Sequence, residues 1–158
     1  MRVVFTSLLI ISCVSLAADL KPGQEEAKVV FAKEIATNLQ QLNEACGTSF
    51  ATVQSDFEHY DKAQFTSMHP GQVCQAMLSG AKSVCSQPAY KKAFASKVKA
   101  LACVFEGVKK DIPTDRDRSR EKANLSLESN GTFTYRLDTA HAGAAIAAQQ
   151  VLQAALDK

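Results

Sequence analysis

Three histidines are the first candidates for chemistry. His59 lies in Asp56-Phe57-Glu58-His59-Tyr60-Asp61, His69 follows ten residues later, and His141 comes three residues after Asp138. Histidine beside carboxylates can hold a transition metal, and in a cleft it can move a proton. The spacing favours neither use. On a helix, Asp56, Glu58 and His59 point in different directions, and H-E-x-x-H is absent. His69 precedes Pro70, where a polar residue caps a helix start. Neither G-x-S-x-G, a P-loop, a dinucleotide fingerprint nor an EF-hand occurs. No catalytic residue, metal or cofactor is therefore assigned.

The second candidate is an arginine-rich run. Lys109 to Lys122 carries six basic and four acidic residues, among them Arg116, Arg118 and Arg120. Arginine grips carboxylate or phosphate with two parallel hydrogen bonds. These three are the candidate binding residues, for an anionic ligand or another protein. The interspersed acids cancel much of the field, as they would in a solvated connection.

The third is cysteine. Residues 1–17 have the layout of a signal peptide: Arg2, an apolar run from Val3 to Leu16, then small residues. Cleavage after Ala17 leaves Cys46, Cys74, Cys85 and Cys103, an even set that predicts two disulfides in an exported chain. No C-x-x-C pair points to zinc or redox chemistry. Ile10-Ile11-Ser12-Cys13 resembles a lipoprotein processing box, so anchoring at Cys13 is the alternative. Either answer leaves the same four cysteines.

Charge narrows the partners. Without Arg2 the balance is 17 basic to 16 acidic residues, or +1, which argues against a nucleic-acid binder. No stretch reads as a transmembrane segment. Asn124-Leu125-Ser126 and Asn130-Gly131-Thr132 match the glycosylation pattern. The compact leader favours a bacterial envelope, where neither would be modified.

The elements that position these residues follow from periodicity. After a linker at 18–23, one domain spans 24–158. Phe31, Ile35, Leu39, Leu42 and Cys46 form one stripe of a helix from Gln24 to Cys46, closed by Gly47. Ser55 and Glu58 have capping-box spacing and predict a short helix to Lys62 or Phe65. His69-Pro70 opens a helix ending near Ser86, and Pro88 opens another with Tyr90, Phe94, Val98 and Leu101 inward. Cys74 and Cys85 then lie about 16 Å apart along one helix, too far to bond. A following helix that doubles back gives Cys74–Cys103 and Cys46–Cys85, each contributing about 3 kcal/mol.

Period two follows in Leu101/Cys103/Phe105, Leu125/Leu127 and Phe133/Tyr135/Leu137. It predicts a three-stranded antiparallel meander with Glu106, Ser126, Glu128, Thr132, Thr134 and Arg136 on the water side. A three-residue loop, Ser129 to Gly131, keeps Leu127 opposite Phe133 and Leu125 opposite Tyr135. Alanine-rich residues Thr139 to Leu156 predict a final helix. The fold class is α+β: helices stapled by two disulfides, a small sheet and a C-terminal helix.

The expected function is that of a small exported protein, periplasmic or secreted, that binds another envelope or extracellular protein as an inhibitor or accessory factor. The alternative is an exported hydrolase with a cleft built on His59, His69 or His141. A secreted effector acting on a neighbouring cell is a third reading.

Overall fold

A computed structural model describes residues 19–63, 69–105, 118–137 and 144–158. The leader, Cys13, Arg116, His141 and the first turn of the expected last helix lie outside them. The described chain is α+β.

Helix α1 (Pro22–Cys46) starts inside the stretch read as a linker, because proline presets the first helical turn. Its buried stripe is Ala27, Phe31, Ile35, Leu39, Leu42 and Cys46. Gly47 stops it in the left-handed conformation at φ 70°. Its N–H and that of Thr48 donate to the Asn43 carbonyl at 2.8 and 3.0 Å. The Asn43 side chain then holds Phe50, accepting its N–H and donating to its carbonyl.

Helix α2 (Pro70–Val84) packs between α1 and α5 (Ala144–Leu156). The approach to α5 is very close at Gly80, where an added Cβ would stand 2.2 Å from the Ala145 carbonyl oxygen. The alanines of α5 permit this, with Ala144, Ala147 and Ala148 buried beside Leu152 and Leu156. Ile146, on the same helix, is exposed.

Helix α3 (Pro88–Lys97) rests on α1 and α5 rather than running back along α2. Val98 is already extended, so Leu101 belongs to strand β1 (Ala100–Val104) and not to the helical stripe. Disulfides join Cys46 to Cys85 and Cys74 to Cys103, with Cα atoms 5.1 and 6.1 Å apart. The first ties the ends of α1 and α2, and the second ties α2 to β1.

The sheet departs from a meander. After the short helix α4 (Ser119–Ala123), β2 (Leu125–Leu127) and β3 (Thr132–Arg136) pair antiparallel with Leu125 opposite Tyr135 and Leu127 opposite Phe133. That is the register of the three-residue loop, and Gly131 takes φ 85° within it. The strand order is β1-β3-β2, however, and β1 runs parallel to β3.

Alternation specifies which face a residue takes but not which strand lies beside it. Here the five-residue β3 takes the centre and buries Phe133 and Tyr135 completely. The three-residue β2 is left at the edge, where short strands offer little unpaired backbone. Gln54 forms a further parallel bridge to Ala102 on the free side of β1.

The water-side expectation fails at Thr134, which is 4 % exposed. It sits between Ala102 and Ser126, under Arg136, whose guanidinium reaches Ser126 at 3.1 Å and Glu128 at 3.2 Å.

Candidate functional site

The predicted helix at Ser55 is a single 3₁₀ turn, Phe57–His59. Its capping box does not form: Ser55 Oγ is buried without a hydrogen-bond partner among the described residues. Burial explains the difference. Phe57 packs edge-on against Phe31 at 5.3 Å, and Tyr60 packs on Phe105 at 5.1 Å. This cluster pulls the segment onto the molecule where a longer helix would lift it away.

Polar anchors fix the same segment. Gln24, in the first turn of α1, donates its side-chain amide to the carbonyls of Glu58 at 2.9 Å and Tyr60 at 3.3 Å. One oxygen of Asp56 accepts the Phe105 N–H at 2.5 Å, at the end of β1. Its other oxygen meets His59 Nδ1 at 2.9 Å. Asp56 and His59, set in different directions by the helical reading, are bonded: they lie three residues apart, a spacing that brings side chains together.

A groove of about 570 Å³ opens above this floor, lined by Lys21, Gln24, His59, Tyr60, Asp61 and Lys62. It continues past Gly23, Tyr60 and Lys62 into a smaller hollow that reaches Glu26, Val30 and His69. Two of the three histidines thus border one surface.

Their surroundings differ from those of a catalytic pair. His59 and His69 side chains are 63 % and 67 % exposed. Each faces its own carboxylate, His69 lying 3.8 Å from Glu34. All four described cysteines are in disulfides. Among the described residues no set of three or more ligating side chains is placed to hold a metal ion.

Glu34 has a second partner that accounts for its position. It accepts the Gly71 N–H at 3.1 Å and so caps the start of α2 from α1. A Cβ on Gly71 would meet that carboxylate.

Tyr60 supplies the groove's phenol. Burial, then the charges of Asp61 and Glu26, raise its pKa above the ordinary 10.0. It is therefore a neutral hydrogen-bonding group at neutral pH. The sequence reading singled out His59 and His69 but missed Gln24, Tyr60 and Lys62. Their roles depend on the docking of 56–62 against α1, which carries no periodic signal.

Arg118 and Arg120 lie away from this groove, at the start of α4. Arg118 takes a left-handed backbone at φ 61°, and both side chains are half-buried. Asn124, the first glycosylation match, is 2 % exposed, while Asn130 lies exposed at the hairpin tip. Comparison with protein-family models, with curated proteins and with solved structures finds no match to this chain.

Proposed function

We propose that this chain is a small exported interaction protein that binds another envelope or extracellular protein, as an inhibitor or accessory factor. The groove above 56–62 is its contact surface. The observation that carries this reading is the anchoring of the groove. Gln24, Asp56 and the aromatic cluster hold the lining backbone in place, so little ordering entropy remains to be lost when a partner docks.

Export agrees with the two disulfides, and among the described residues no helix is long and apolar enough to cross a membrane. Exposed histidines, each held by a carboxylate, suit hydrogen bonding to a partner better than proton transfer in a closed cleft.

A photocrosslinking residue at Lys62 tests the proposal in the native envelope fraction. A discrete adduct is expected there and none from the same group at Lys33, outside the groove. Tyr60→Ala should weaken adduct formation at least severalfold. The arginine proposal has its own arm: Arg116, Arg118 and Arg120 changed together to alanine should reduce capture if they contact an anionic partner. Turnover of a substrate that disappears in His59→Ala, His69→Ala or His141→Ala without loss of fold would establish the hydrolase instead.

A further inference from the structure

Charge is distributed unevenly along the described chain. Asp19 to Asp61 holds eight acidic and three basic residues, a balance of −5, whereas 62–105 holds six lysines and no acid. The fold leaves Lys62 at the groove and sets Lys91, Lys92, Lys97 and Lys99 away from it. Strand β1 begins beside Lys99 and ends beside Phe105, under the groove. Helix α1 begins at the groove and ends at Gly47, where Lys91 approaches. Its 25 residues span about 37 Å.

The basic end has a defined shape. Lys91, Lys92, Lys97 and Lys99 are all exposed, on α3 and the residues leaving it. Lys97 donates to the Leu156 carbonyl at 3.1 Å, at the end of α5, which fixes its ammonium beside the hairpin. A hollow of about 400 Å³ lies between them, walled by Lys97, Lys99, Lys158, the tip Ser129-Asn130-Gly131 and Glu128, whose carboxylate is engaged by Arg136 at 3.2 Å. Leu127 and Ala155 form its apolar floor.

We infer that this face, Lys91, Lys92, Lys97 and Lys99 with the hairpin hollow, is a phosphate-binding surface that seats the protein on anionic phospholipid headgroups. Three observations favour a lipid surface over an acidic protein. The positive charges are all lysine, compact point charges without the fork that recognises one carboxylate in fixed geometry, and they outnumber Glu128 and Asp157 beside them. They spread around the exposed sides of α3 and a strand entry rather than converging on one atom. The exposed large apolar residues, Val29 and Ile146, lie on α1 and α5 rather than on this face, which therefore lacks the aromatic or aliphatic anchors of a protein interface. Each lysine near an anionic leaflet adds to attraction, and the attraction falls within a Debye length. Seated this way, the groove end points away from the bilayer. The inference stands independently of the groove's proposed role.

Co-sedimentation of the full disulfide-bonded chain with vesicles tests it. Binding is expected to vesicles containing phosphatidylglycerol, not to phosphatidylcholine alone, and should weaken steeply as salt rises. Lys91→Gln, Lys92→Gln and Lys99→Gln together should reduce the vesicle partition by about a hundredfold. They leave the Lys97 bond intact, and an unchanged melting temperature confirms the fold. Lys28→Gln with Lys33→Gln on α1 should bind as the parent does.

Two further arms identify the ligand. Inorganic phosphate that displaces the vesicles marks the hollow as a discrete headgroup site, and displacement by salt alone marks a diffuse one; either supports the inference. Equal binding of both vesicle types, full binding by the triple variant, or retention on an acidic polypeptide without vesicle binding would overturn it.

Discussion

Gly80 shows how much one missing methyl group can decide. An added Cβ meets the Ala145 carbonyl at 2.2 Å and the Ala148 Cβ at 2.8 Å. Neither neighbour can swing aside, since one is backbone and the other is a fixed methyl. Gly80→Ala should therefore part α2 from α5 and destabilise the fold by about 2–3 kcal/mol, read as a lower urea midpoint. Gly→Ala on an open helix surface would instead stabilise, so the sign alone distinguishes the cases. Glu34 is a second decisive residue. Glu34→Ala should cost about 1–2 kcal/mol through the lost α2 cap, and Glu34→Gln less, because an amide oxygen still accepts the Gly71 N–H. Tyr60 gives a pH dependence. Its raised pKa means that the folded state keeps the phenol proton where the unfolded chain releases it. The stability it contributes is whole below pH 10.0, the free-phenol value, and is lost as pH rises beyond it. Alkaline unfolding should accordingly begin at higher pH in Tyr60→Phe than in the parent chain.

Elements were legible where period and punctuation agree. The α1 stripe, Gly47, Pro70 and Pro88 each mark a boundary the structure keeps. The hairpin register followed from parity, because only a three-residue loop puts Leu127 opposite Phe133. Gly131→Ala tests that turn: φ 85° and the nearby Lys97 carbonyl both oppose a side chain. A loss of about 1–3 kcal/mol is expected from thermal unfolding. Strand order was not legible, since β1 presents the same alternation to any neighbour. Nor was the groove. His59 was visible as a residue type, but its place on the groove depends on Phe57 and Tyr60 packing against Phe31 and Phe105. Long-range contacts of that kind leave no local pattern to read.

At the scale of the whole molecule, α2 is the hub. Both disulfides end on it, and it lies between α1 and α5. The helical argument from sequence excluded a Cys74–Cys85 bond, because eleven residues of helix hold the two too far apart. It reached Cys74–Cys103 through a helix doubling back along α2, whereas the structure brings Cys103 there on β1. The bridges close loops of 39 and 29 residues, each restricting the unfolded chain by about 3–4 kcal/mol. Cys46→Ala with Cys85→Ala should lower stability by that amount in chemical denaturation and free the end of α1. The proposed groove and basic face would then lose their fixed separation, since α1 connects them.

The central place of β3 also bears on how the chain assembles as it emerges. Until Thr132 arrives, the strand from Ala100 has only the single Gln54 bridge as a main-chain partner. In a meander, β1 and β2 could zip together as soon as residue 127 appeared. Here they cannot, because β3 must come between them, so the sheet closes late and in a single event. The α1–α2 pair with its Cys46–Cys85 bridge can settle earlier, leaving a half-built molecule whose exposed β1 edge is open to association. A chain stopped at Glu128 should therefore keep helical signal yet aggregate, whereas one stopped after Leu137 should retain the sheet.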